Sequence, residues 1–191
     1  RQWLSAVLST GMVGPAAFAG RMQATIHRWS GDRKPSGWQY QIGNDVVLNY
    51  ELYHEKELLN IRGAAMLTSN LLLRAGTLSD KIQGGLTLTA GRFASPFANR
   101  TPRHRTQLYA YVQPLANLIG YDATLQGGLF NQNNPYTLPA SALNRVTFQA
   151  NYGVVGRIGK FYAEYYRSYL SAEFKTGRSH RWGGVKVGVS F

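Results

Sequence analysis

Through most of the chain, apolar and polar residues alternate in short runs separated by Gly, Asn, Asp and Pro. Residues 145–154, RVTFQANYGV, place Val146, Phe148, Ala150, Tyr152 and Val154 on one face of a strand, with Arg145, Thr147, Gln149 and Asn151 on the other. An apolar face backed by long polar side chains is what a barrel in lipid requires, with hydrocarbon outside and water in the lumen. The same rows recur at Val46, Leu48, Tyr50 and Leu52, at Leu86, Leu88 and Ala90, and at Leu108, Ala110 and Val112. They return at Val185, Val187, Val189 and the closing Phe191. The stretch 121–130 alternates likewise, and an early strand is read near residues 2–12. A soluble sandwich would also alternate, but in strands of usually about 5–6 residues. The pattern predicts an all-β fold, an antiparallel transmembrane β-barrel in one domain over 1–191.

Counting back from Phe191, with 58–78 taken as one strand or as a hairpin turning near Thr68–Asn70, gives nine or ten strands. Bacterial barrels of this kind have even numbers of strands, so further strands are expected ahead of Arg1, and the chain reads as the C-terminal part of a longer barrel. Tight turns are expected near Gly120 and at 156–160, and long polar loops at 94–104, 131–143 and 174–181. With a periplasmic C-terminus, all three long loops would lie outside the cell.

One stretch breaks the alternation. Residues 15–29, PAAFAGRMQATIHRW, are Ala-rich, and Pro15 is placed to open a short helix. Gln23 and His27 stand four apart, so they share a helical face with Gly20 and Ala16. Small residues there let another surface approach the two polar ones. His is suited to general-base work near neutral pH. Gln can orient a water or donate its amide to a developing oxyanion. A Gln and a His on one face of a short helix are most often solvated, so spacing alone does not make them a catalytic pair.

Composition narrows the partners. Lys and Arg number 21 against 9 acidic residues, a formal charge of +12 that suits an anionic neighbour. No helix-turn-helix, zinc-finger or ribonucleoprotein motif accompanies it, so nucleic acid is not the expected partner. There is no cysteine, hence no disulfide framework or thiolate metal site. No run of about 18 apolar residues could form a membrane-spanning helix.

The run 10–45, TGMVGPAAFAGRMQATIHRWSGDRKPSGWQYQIGND, resembles the outer-membrane lipid A 3′-O-deacylase family. The matching motifs are Gly14–Pro15, the helix with Gln23 and His27, and Pro35, Gly37, Trp38 and Gln41. Glu173–Phe174 and Phe191 agree more weakly. The resemblance implies a twelve-stranded barrel of the bacterial outer membrane, crossing it many times, with its active site between the outer wall and a helix from an extracellular loop. It implies His27 as the base that activates water, Gln23 as its neighbour, and the 3′-linked acyl chain of lipid A as the group released. It further implies a calcium ion that stabilises the oxyanion. The family's Asn–Asp pair and Thr lie on its first strands, so the calcium ligands are expected outside this chain; Asn44–Asp45 instead follows the helix. A monomer acting on lipopolysaccharide is the expected form.

Other residues carry weaker expectations. Arg100, Arg103 and Arg105, in ANRTPRHR, and Arg33 and Lys34, after the helix, are either solvated or bind lipopolysaccharide phosphates, for which Arg offers bidentate hydrogen bonds. Ser30 as a nucleophile is a poor fit beside a helix end. His54, His104 and His180 lie in or near loops without metal-ligand spacing, and Glu51 points inward to pair with an Arg. Trp29, Trp38, the tyrosines of 162–169 and Trp182 suit interfacial girdles. The competing functions are a non-enzymatic pore or adhesin, an inactive fragment of the deacylase, and a soluble basic β-domain binding an acidic polymer.

Overall fold

The computed structural model describes residues 1–33, 35–61, 64–97, 106–131 and 133–189. Eight strands form a single antiparallel sheet in chain order. They are β1 (Gln2–Val13), β2 (Asp45–Ile61), β3 (Ala65–Gly76), β4 (Ser79–Arg92), β5 (Thr106–Asp122), β6 (Val146–Ile158), β7 (Phe161–Leu170) and β8 (His180–Val189). Each pairs with its chain neighbours, leaving β1 and β8 as the edges of a curled half-barrel. A helix, α1 (Ala19–Ser30), stands between β1 and β2, and one helical turn, α2 (Ala123–Gln126), follows β5.

The count of eight, against nine or ten expected, has two causes. β5 does not turn at Gly120 but runs unbroken through Pro114 and Gly120 to Asp122. The stretch 121–130 is not a strand either: Asp122 caps α2, its carboxylate accepting the Thr124 N–H at 2.9 Å. Within 58–78 there is a reversal, but it lies between Ile61 and Ala65 rather than at Thr68–Asn70.

The longer β5 changes the sidedness of the loops. Residues 131–143 and 174–179 share the barrel end that carries α1, but the connection 93–105 lies at the opposite end. The three long loops therefore do not sit together as expected. Arg100, Arg103, Arg105 and His104 lie outside the described residues.

The faces follow the alternation. Val146 and Phe148 are 56% and 60% exposed on the outer wall, while Thr147 between them is 1% exposed on the concave side. Polar side chains on that side link six strands in one chain of hydrogen bonds. Asn70 donates to the Tyr53 hydroxyl at 2.8 Å and accepts from Thr87 at 2.7 Å. Gln113 donates to Thr87 at 3.0 Å, Asn151 to Gln113 at 2.9 Å and Ser168 to Asn151 at 2.9 Å. Buried polar groups need such partners, and each link fixes a neighbouring strand's register. Glu51 pairs with Arg74 at 2.8 Å, as expected of an inward Glu. Glu164 accepts from Tyr111 at 2.6 Å and Tyr162 at 2.5 Å, and pairs with Lys186 at 3.2 Å.

Both ends of the concave side carry packed groups. At the far end Met66, Phe93 and Phe97 form an apolar cluster against Tyr109. At the α1 end the loops after β5 and β7 are zipped together: the Asn144 amide donates to the Glu173 carbonyl and the Lys175 amide to the Ala142 carbonyl, both at 2.9 Å. Glu173 sits where burial and the neighbouring Asp122 carboxylate hold its acid above the usual range.

Candidate functional site

α1 is carried by its flanks, since none of its residues is fully buried. Gly14 has φ 91°, and a Cβ there would lie 2.6 Å from the carbonyl carbon of Gly43, so only glycine lets the two ends of the insertion touch. The Ala16 amide then donates to the Asn44 side chain at 2.7 Å. Pro15 opens a single 3-10 turn, Pro15–Ala17, rather than the helix itself. Phe18, at φ 58°, separates that turn from α1, and Gly31, at φ 70°, ends it. The expected helix over 15–29 is thus a 3-10 turn followed by α1.

Gly20 has the predicted use as a place of close approach, whereas Ala16 lies in the 3-10 turn ahead of α1 and not on its face. A Cβ on Gly20 would come within 3.0 Å of the Trp38 ring, so the indole packs directly on that glycine. From there the indole N–H donates to Oε1 of Gln23 at 2.7 Å. An indole only donates, which fixes the carboxamide with its oxygen toward Trp38 and its NH2 pointing away. Trp38 therefore belongs to the site and not to a girdle.

His27 is held by a backbone group. Its Nδ1 lies 2.7 Å from the carbonyl oxygen of Arg33. A carbonyl only accepts, so Nδ1 carries a proton, and in the neutral ring the lone pair is on Nε2. A cleft of about 320 Å³ opens beside the ring, lined by Ala24, His27, Arg28 and Asp32. Arg33 enters the site through this carbonyl, while its amide donates to the Asp32 carboxylate at 2.9 Å. Lys34 lies outside the described residues. The Ser30 hydroxyl is bonded to the His27 carbonyl at 3.3 Å and ends the helix, as its sequence context suggested.

Asn44 and Asp45 anchor the insertion to the loop after β5. Asp45 Oδ2 accepts the amides of Phe130 at 3.0 Å and Asn131 at 3.2 Å, and Oδ1 accepts that of Val46 at 2.7 Å. The Gly43 amide donates to Asn134 at 2.5 Å, and Tyr40 and Tyr136 meet edge to face at 5.5 Å between ring centres. Both carboxylate oxygens of Asp45 thus face N–H donors, which is unsuited to a calcium ligand, since calcium wants free oxygens. Among the described residues no group of three His, Asp or Glu could hold a metal ion. Asn44 and Asp45 therefore do not fit the calcium ion that the resemblance implies, whose ligands are expected outside this chain.

The remaining candidates lie apart from α1. His54 is mid-strand in β2 rather than in a loop, its Nε2 3.2 Å from the Gln2 side chain, and His180 is the first residue of β8. Tyr162 and Tyr166 share the concave side with Glu164, and Trp182 pairs across from Ser168 there; Tyr165 and Tyr169 are outward. Of these five, Tyr165 and Tyr169 are the ones on the lipid-facing side, while Trp29 on α1 is 83% exposed.

The sequence model of the family described as "Outer membrane protein LpxR" matches residues 1–191. The chain belongs to the LpxR family. This is the lipid A deacylase family that the motifs of 10–45 resemble, and it places the half-barrel in the outer membrane. A search of the solved structures finds LpxR from Salmonella typhimurium, with a TM-score of 0.80 at 20% sequence identity. The match covers 99% of this chain and 68% of that one, and shows the shared LpxR fold. No curated protein sequence matches this LpxR chain.

Proposed function

We propose that this chain acts as an outer-membrane lipid A 3′-O-deacylase, with His27 as general base and Gln23 as oxyanion donor. The carrying observation is the Nδ1 contact with the Arg33 carbonyl, which leaves Nε2 of His27 free to accept a proton. In the reaction, Nε2 takes a proton from water as the water oxygen attacks the ester carbonyl carbon. Negative charge moves to the carbonyl oxygen, where the free NH2 of Gln23, oriented by Trp38, can donate. Collapse breaks the bond to the sugar oxygen, which takes the proton back from the imidazolium. The products are a free fatty acid and a sugar hydroxyl. The outer wall supports a lipid substrate, since an enzyme seated in the membrane meets such esters by lateral diffusion.

The pore reading is disfavoured by the concave side, which is crossed by hydrogen-bonded side chains. The soluble reading conflicts with the exposed apolar outer wall and the family match. Mass spectrometry of lipid A incubated with the purified protein tests the proposal. Wild type is expected to remove the 3′ acyl chain, and His27→Ala to lose about 10²–10⁴-fold in rate, as for removal of a general base. Deacylation by His27→Ala at the wild-type rate would refute it.

A further inference from the structure

We infer that the outer wall of β7 and β8 carries a binding site for the phosphate of an outer-leaflet lipid, formed by Arg167 and Arg181 around Tyr169. The site is separate from α1 and does not depend on the deacylase reading.

Register puts these groups together. Tyr169 pairs directly with Arg181, and Arg167 with Gly183. Arg167 and Arg181 are therefore diagonal neighbours on one face, a relation that spans roughly 7–8 Å between backbones. That face is the outer one: the same row continues through Tyr165 and Val185 to Ala163 and Val187, whose apolar members are exposed. The Arg181 guanidinium lies 5.7 Å from the Tyr169 ring centre. Gly183 leaves room for its neighbour, since a Cβ there would come within 2.6 Å of Arg167 Cδ. Tyr152, paired with Arg167 from β6, is half-exposed and adds a hydroxyl on the other flank.

Two arginines on a lipid-facing wall are costly unless they reach the interface or are neutralised. Arg167 is three residues from the end of β7 at Leu170, about 10 Å along a strand, within reach of a side chain that snorkels. Arg181 is one residue inside the start of β8. Both stand toward the barrel end that bears α1 and the zipped loops. Neutralisation does not come from the protein: the nine carboxylate residues all lie among the described residues, and the ion pairs there, Arg74 with Glu51 and Lys186 with Glu164, leave Arg167 and Arg181 without one. Two guanidinium forks facing one gap suit the oxygens of a phosphate monoester, with the tyrosines packing beside the sugar or acyl chain below.

Native mass spectrometry of the protein carrying His27→Ala, so that nothing is turned over, tests this in detergent containing bisphosphorylated lipid A. The protein is expected to retain one lipid, and to retain it at least tenfold less with Arg167→Ala and Arg181→Ala together. Arg167→Lys with Arg181→Lys, which keeps the charge and loses the fork, is expected to fall between the two. Dephosphorylated lipid A should be retained no better than by the double alanine variant. Arg92→Ala, on the outer face at the opposite rim, should behave as the parent protein. Equal retention by the alanine variant, or equal retention of dephosphorylated lipid, would overturn the proposal. A heat-shifted band on a gel confirms that each variant is folded.

Discussion

At the scale of single residues the site rests on two one-sided hydrogen bonds, each with a partner of fixed polarity. The indole of Trp38 can only donate, so Gln23 must present its amide outward; the Arg33 carbonyl can only accept, so His27 must present a bare Nε2. Trp38→Phe keeps the ring packed on Gly20 and removes the donor. It is expected to lower kcat about tenfold with KM little changed, because an unheld carboxamide turns its oxygen toward the developing oxyanion; steady-state kinetics on lipid A micelles would read it. Gln23→Ala is expected to lose about 10²–10³ in kcat, the scale for one oxyanion donor. The i and i+4 spacing of Gln23 and His27 was legible in the sequence, and so was the use of Gly20 as a place of close approach. Trp38 stood among the motif residues of the resemblance, but its place in an interfacial girdle did not hold, because a Trp among polar residues looks the same whether it meets lipid or a helix. The Arg33 carbonyl leaves no trace in the sequence, since every residue has one.

At the scale of elements α1 is an outlying arm, fixed by a glycine contact, one indole and an asparagine-rich clasp instead of by burial against the sheet. Gly20→Ile would drive side-chain atoms into the Trp38 ring. Its expected result is loss of activity at an unchanged barrel melting temperature, measured by circular dichroism, because α1 buries nothing whose loss would unfold the strands. Asp45→Ala removes the acceptor of the Phe130 and Asn131 amides and should expose residues 127–140 to limited proteolysis while leaving the strands protected. Glu173 has a measurable sign. Its acid is held above the ordinary range, so the folded state binds that proton more tightly than the unfolded one. The stabilisation is fully present below the unfolded pKa and is lost as pH rises through the folded one. Glu173→Gln is therefore expected to raise the melting temperature at neutral pH and to flatten its dependence on the acid side. Element types were read well where alternation was uninterrupted, as in β6. They failed at Gly120, which resembles a breaker yet lies within β5; strand pairing overrides its local preference.

At the scale of the whole molecule one misread turn reversed the sidedness of the 93–105 connection, because an antiparallel sheet alternates ends with every strand. The barrel class survived that error, since the division into an apolar wall and a polar concave side does not depend on counting. The side-chain chain from Tyr53 to Ser168 crosses the sheet from β2 to β7, and its middle link can be removed with little change in volume. Gln113→Leu leaves Thr87 and Asn151 short of a partner and is expected to destabilise the barrel by about 1–3 kcal/mol, read as a lower unfolding midpoint in urea with α1 and its activity intact. Above this scaffold, the central claim is that an imidazole on α1 draws the proton from the water that cuts a lipid ester. Single-turnover release of fatty acid by His27→Ala, with and without added free imidazole, measures that most directly. The expected rate is depressed by about 10²–10⁴ and recovers in proportion to the imidazole supplied; an undiminished rate without imidazole would contradict general-base catalysis by His27.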